Sequence, residues 1–103
     1  MKRVEDQKAL AAAVAGKKAV VLFHATWCPF CRAFLPVFEK AMRAGKHEAV
    51  EAVLDDEENP LWAEHGINLV PTVLFFDKGK VVRRLDGKPG AGLTEADLEQ
   101  ALG

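Results

Sequence analysis

The sequence contains no tyrosine and only two cysteines among 103 residues. Two cysteines are too few for the disulfide framework that holds small secreted domains together. They also fall short of a four-cysteine zinc site on their own. The longest strongly apolar run is Ala19 to Phe23, far below the ~20 residues of a membrane-spanning helix. Neither charge sign prevails, with 14 basic and 15 acidic residues and a formal net charge of −1. That balance carries neither a nucleic-acid footprint nor a polybasic membrane patch. No export signal is legible. Met1-Lys2-Arg3 is basic, but Glu5 and Asp6 follow where an apolar stretch and cleavage site are needed. Internal repeats, low-complexity blocks and linkers are missing too. We expect a cytoplasmic monomer with no nucleic-acid or membrane partner.

What is present suits a folded chain. Half the residues are apolar and 28% are charged. The length fits one domain, residues 1–103, able to bury a working core. In a reducing cytosol, such a cysteine pair is expected to be catalytic or metal-binding rather than structural.

Residues 5–15 are rich in helix formers, with Ala9, Leu10, Ala13 and Val14 at helical spacing and Gly16 as a stop. Ala19 to Phe23 reads as a strand buried on both faces. Pro29 suits the first turn of a helix carrying the stripe Phe34, Val37, Phe38, Ala41 and Met42. Pro36 is expected to kink that helix, and Gly45 ends it. Glu48 to Leu54 is a second strand. An acidic turn, Asp55 to Pro60, leads to a short helix capped by Asn59 and running to about His65, where Gly66 breaks it. Thr72 to Phe76 and Val81 to Leu85 form a hairpin about Asp77-Lys78-Gly79-Lys80. After a loop with Gly87, Pro89, Gly90 and Gly92, Thr94 and Asp97 start a last helix in a capping-box-like pattern. Leu93, Leu98, Ala101 and Leu102 pack inward. The order α-β-α-β-α-β-β-α defines an α/β fold: a mixed sheet with helices on both faces. It has four strands, or five if Lys2-Arg3-Val4 adds a short edge strand.

The informative stretch is Trp27-Cys28-Pro29-Phe30-Cys31. A Cys-x-x-Cys at a strand-to-helix junction reads as a dithiol redox site. Positions three apart on a helix share a face, close enough for a disulfide. Cys28 falls at the helix start, where free N–H groups and the positive end of the dipole favour an anion. Thiolate is the attacking species. Cys31 lies one turn in, less exposed, placed to resolve a mixed disulfide. A zinc or iron–sulfur site competes, but it needs two further ligands, and His24, His47 and His65 are scattered. A purely structural buried pair is the third reading, opposed by Trp27 and Pro29, which look like an exposed loop and helix start.

With these residues the chain resembles the thioredoxin family over nearly its full length. Trp27-Cys28-Pro29-Phe30-Cys31 matches its Trp-Cys-x-x-Cys, and Pro36 falls at its helix proline. Val70-Pro71-Thr72 matches its Ile/Val-Pro-Thr, whose proline is cis and faces the cysteines. Asn59-Pro60 and the hairpin turn also sit where that family has them. The resemblance implies the thioredoxin fold and a thiol–disulfide oxidoreductase acting on protein disulfides. Cys28 is then the nucleophile and Cys31 the resolving thiol. No organic or metal cofactor is implied beyond the cysteine pair itself. An upstream reductase or a low-molecular-weight thiol resets the pair. Val70 offers its backbone to an extended substrate segment, with Pro71 beside it. Trp27, Pro29 and Phe30 form the rest of the substrate-binding set; Trp62 is assigned to packing.

The match departs in two places. Thioredoxins usually carry a buried Asp six residues before the first cysteine, and a partner Lys on the next strand. Here those positions are Leu22 and Val53. Losing both together leaves no unpaired buried charge, but it removes the usual acid–base group behind Cys31. His24 is the candidate proton shuttle. Glu51 is a weaker one, expected to be solvent-exposed near its strand start. Asp55 to Glu58 is expected to be a solvated turn.

The second departure is Pro29-Phe30 between the cysteines. Cys-Pro-Phe-Cys looks like the glutaredoxin motif, which makes a glutathione-dependent reductase the alternative activity. Leu69, the lone Gly87 and Trp27 depart from the glutaredoxin pattern. A non-catalytic binding or metal-carrying module on the same fold is the alternative of another class.

Overall fold

The computed structural model covers Met1–Gly103. Its elements are β1 (Lys2–Val4), α1 (Gln7–Val14), β2 (Lys18–His24), α2 (Pro29–Ala44), β3 (Glu48–Val53), α3 (Leu61–Glu64), β4 (Thr72–Asp77), β5 (Lys80–Leu85) and α4 (Glu95–Leu102).

Local chemistry sets most of these boundaries. The Asp6 carboxylate accepts the Ala9 N–H at 2.8 Å and opens α1. Asn59 Oδ1 accepts the Leu61 N–H at 3.0 Å, so it supplies the capping bond of α3 from just before the capping position, which Pro60 occupies. At the hairpin, Lys78 and Gly79 both have positive φ, 52° and 84°. Two such residues in a two-residue loop match the right-handed twist of the flanking strands. Thr94 and Asp97 exchange both capping-box bonds at the start of α4. Pro36 is taken into α2 without ending it. Gly45 closes that helix, its N–H donating to Met42 O at 3.2 Å.

The sheet runs β1-β3-β2-β4-β5. β1 and β2 both pair parallel with β3, whereas β4 is antiparallel to β2 and β5 to β4. The sheet is therefore five-stranded, and Lys2–Val4 is the short edge strand. β2 is central and buried on both faces. Ala19, Val21 and Phe23 join Leu10, Ala13 and Val14 of α1 and Leu61 of α3. Val20 and Leu22 point the other way, to Phe34, Phe38 and Met42 of α2 and Leu98 of α4. Each fully buried side chain of this size contributes about 1.5–3 kcal/mol. β2 is thus clamped between both layers, and the loop leaving its C-terminal end starts from a rigid base.

β1 also corrects one expectation. Arg3 and Leu22 flank Glu51 in register on either side. Glu51 is therefore interior to the sheet, and its side chain is only 14% exposed. The edge strand covers what otherwise would face water.

Candidate active site

β2 ends at His24, and Ala25 to Trp27 carry the chain into α2. Cys28 takes the N-cap with extended backbone (φ −95°, ψ 115°), and Pro29 fills the first helical position, where no N–H partner is needed. The Cys28 sulfur accepts the Cys31 N–H at 3.2 Å. A cysteine thus does what Ser or Asp does at other helix starts. Both cysteines are free thiols and buried, Cys28 at 5% and Cys31 at 1% exposure. The exposure expected at the motif belongs to the residues around the sulfurs: Trp27 is 51% and Phe30 44% exposed. Burial, with the Cys28 side-chain hydrogen bond second, pushes the Cys31 thiol up to about 12; a backbone hydrogen bond from Ala25 acts the other way. Cys31 therefore keeps its proton at neutral pH.

The Val70–Pro71 bond is cis. This loop meets the dithiol directly. Val70 packs on Ala25, Cys28 and Cys31, and its carbonyl accepts from the Cys28 thiol at 3.5 Å. The Val70 N–H has no hydrogen-bond partner in the protein. The loop is braced from behind. Thr72 Oγ1 donates to Leu69 O at 2.7 Å and accepts the Gly87 N–H at 3.3 Å. A Cβ at Gly87 would lie 2.3 Å from the Pro71 carbonyl oxygen, so only glycine fits. Gly92 (φ 70°) is similar: a Cβ there would be 2.8 Å from Phe30 Cβ. Phe30 rests against that bare backbone.

Asp55 is the functional residue that sequence reasoning missed. It stands in the exposed turn expected for Asp55 to Glu58, and from there its carboxylate also accepts the Thr26 N–H at 2.7 Å and the Thr26 hydroxyl at 2.8 Å. Its backbone carbonyl accepts the Trp27 indole N–H at 3.0 Å. The Thr26 N–H, then the Thr26 hydroxyl, hold the Asp55 carboxyl below the usual range. Nothing in spacing or periodicity links residues 26 and 55. Trp62 is half-buried against the α1-side core, with its indole N–H on Asp56 O at 3.1 Å.

Behind the cysteines, Leu22 and Val53 are buried at 0% and 2% exposure. His24 and Thr72 are the only buried polar residues of the chain. Burial lowers the His24 pKa, and Glu51 opposes that shift. Its Nε2 is buried with no hydrogen-bond partner and lies 3.9 Å from Glu51 Oε2. An orphaned buried donor or acceptor costs about 1–3 kcal/mol. Nowhere do three His, Cys, Asp or Glu side chains gather closely enough to hold a metal ion.

One thiol presented at a helix start, with a second held protonated beneath it, is the equipment of a thiol–disulfide oxidoreductase. The chain carries it on the thioredoxin fold: the thioredoxin of Plasmodium falciparum superposes with a TM-score of 0.84 at 23% identity, over 99% of this chain and 96% of that one. A Fasciola hepatica thioredoxin does so at 0.77 with 25% identity, over 99% and 96%. The family model described as Thioredoxin matches residues 2–101, and the chain belongs to that family. It is 35% identical over 92 residues to a thioredoxin of Alicyclobacillus acidocaldarius, covering 87% of this chain and 88% of that one. To a thioredoxin of Mycoplasmoides gallisepticum it is 37% identical over 71 residues, 69% and 71% of the two chains. A bifunctional thioredoxin reductase/thioredoxin of Mycobacterium leprae is 32% identical over 87 residues, 84% of this chain and 19% of that protein.

Proposed function

We propose that the chain is a cytoplasmic protein-disulfide reductase fed by a thioredoxin reductase, its 103 residues acting as one unit without a further cofactor. The observation that carries this reading is the asymmetry of the pair. Cys28 caps α2 among free helix N–H groups, while Cys31 stays a buried thiol with its pKa near 12.

The Cys28 thiolate attacks one sulfur of a substrate disulfide. The substrate S–S bond breaks, a Cys28–substrate disulfide forms, and the first substrate thiolate leaves and takes up a proton. Cys31 then gives up its proton and attacks the Cys28 sulfur. The mixed disulfide breaks, the second substrate thiol departs, and a Cys28–Cys31 disulfide remains. The substrate has gained the electron pair that the dithiol lost, and the reductase returns it.

Trp27, Pro29 and Phe30 supply an apolar contact surface beside Cys28. Val70 offers its unpartnered N–H to an extended substrate segment, in the manner of an added strand. Pro71 shapes that loop. One relative joins a thioredoxin to a thioredoxin reductase in a single chain, which supports the choice of electron donor.

The test is insulin reduction with NADPH and thioredoxin reductase, run beside glutathione with glutathione reductase. Turnover is expected in the first and not the second; the reverse result assigns the chain to glutathione. The Cys28–Cys31 couple is expected near about −270 mV, the region of thioredoxins, and a value near about −120 mV would make it an oxidant.

A further inference from the structure

The even charge balance of the chain hides an uneven placement. β2 and β3 run parallel and start at the end of the sheet away from the dithiol, and the β4–β5 hairpin turns at that same end. Lys17 and Lys18 enter β2 there, Lys46 precedes β3, and Lys78 and Lys80 flank Gly79 in the turn. The Lys78 N–H donates to Lys17 O at 2.8 Å and fastens the hairpin to the entry of β2. Arg83 follows on β5. Across residues 17–18, 46–48 and 77–83 these six exposed cations meet only two carboxylate side chains, Glu48 and Asp77. The formal charge there is +4, against −1 for the whole chain, which leaves −5 on the rest. Of the six, only Lys17 has an ion-pair partner, Glu48 at 3.8 Å.

This pole also exposes apolar side chains. Phe76 pairs with Val81 and Phe75 with Arg83, so Val82 is an extra residue in β5. The bulge leaves Val82 64% exposed, beside Val81 at 44%. Next to them opens a cleft of about 360 Å³. Lys18, His47 and Arg83 line it together with Phe75, Val82 and Leu102, and Asp77 is its one carboxylate side chain.

We propose that this pole docks on an anionic lipid bilayer and leaves the dithiol turned toward the water. Lys and Arg side chains gain energy near such a surface, and exposed apolar side chains among them enter the headgroup layer. The cytoplasmic leaflet is the anionic one. Two observations favour a bilayer over a nucleic acid. The exposed aromatic side chains on which bases could stack, Trp27 and Phe30, stand at the other end of the molecule. A planar surface touches the basic pole alone, whereas a long flexible polyanion also meets the acidic remainder. Docking adds a location to the reductase and leaves its chemistry unchanged.

The experiment is co-sedimentation with vesicles of phosphatidylcholine containing about 30% phosphatidylglycerol, in about 0.1 M salt. Binding is expected to these vesicles and not to phosphatidylcholine alone, and to fade as salt is raised. Lys78→Gln with Lys80→Gln should lower the partition coefficient about 20-fold, with insulin reduction in solution unchanged. Lys8→Gln with Arg32→Gln removes the same charge from the dithiol end and should lower it less than about twofold. Trp27 should stay as open to acrylamide quenching on the vesicle as in solution. Several results overturn the proposal: no binding to the anionic vesicles, equal binding to neutral ones, equal loss in the two double variants, or shielding of Trp27. Tighter binding to polyuridylate than to the vesicles also overturns it and assigns the pole to nucleic acid.

Discussion

Asp55 grips Thr26 with both carboxylate oxygens, at 2.7 and 2.8 Å, across 29 residues of chain. The acidic turn after β3 thereby holds the loop that presents Trp27 and Cys28.

Asp55→Ala is expected to free that loop. Stability should fall by about 1–2 kcal/mol, the scale of charge-assisted bonds at a wet site. KM for insulin should rise several-fold, with rates on small disulfides little changed. Because the folded pKa of Asp55 is depressed, its contribution is present above the unfolded value and is lost as pH falls through the folded one. Acid unfolding below about pH 4 should be less steep in the variant than in wild type.

Alkylation should discriminate between the thiols. At pH 7.5, iodoacetamide followed by peptide mass analysis is expected to find Cys28 labelled and Cys31 untouched, since Cys31 holds its proton up to about 12. Cys28→Ser should react at least about a hundredfold more slowly than wild type and show no insulin reduction. Cys31→Ser should retain the first chemical step and accumulate mixed disulfides, visible on non-reducing gels.

The two glycines that brace the site should tolerate nothing larger. Gly87→Ala sets a methyl group 2.3 Å from the Pro71 carbonyl oxygen, and backbone must move. A loss of about 2–3 kcal/mol in urea denaturation is expected, together with lower kcat/KM. Gly92→Ala meets the Phe30 side chain at 2.8 Å and forces φ 70° on a residue with a Cβ. About 1–2 kcal/mol should be lost, with the main effect on substrate KM as Phe30 is displaced.

Stability should also depend on pH near neutrality. Burial depresses the pKa of both His24 and His65 from 6.5. The unfolded chain then binds more protons between those values. The associated stability is present above pH 6.5 and declines as pH falls toward the folded values. Urea midpoints at pH 7.5 and 5.5 should show this decline, and His65→Gln should flatten it.

The readable parts of this chain are the local ones. The dithiol at a helix start, the Lys78-Gly79 turn and the Thr94–Asp97 box each depend on residues within a few positions of one another. The Val70-Pro71-Thr72 segment is legible only through the family resemblance and carries no physical signal of its own. What escaped depends on partners far along the chain. Glu51 looks exposed until Arg3 of β1 pairs beside it. Asp55 is as exposed as its acidic turn suggests, but its tie to Thr26 spans distant segments, and Gly87 looks like any loop glycine until Pro71 lies against it. Spacing within one segment does not report such meetings.

The sheet's two borders have a consequence for association. One border, β1, is three residues long, and the other, β5, carries Lys80, Arg83 and Arg84 beside the exposed Val81 and Val82. A second copy laid along β5 would set cation against cation, and β1 offers too short a rail to zip onto. Backbone pairing with a foreign strand is thereby discouraged along both flanks. On the proposed function, a visiting chain would then meet open backbone at the N–H of Val70, beside the Cys28 sulfur.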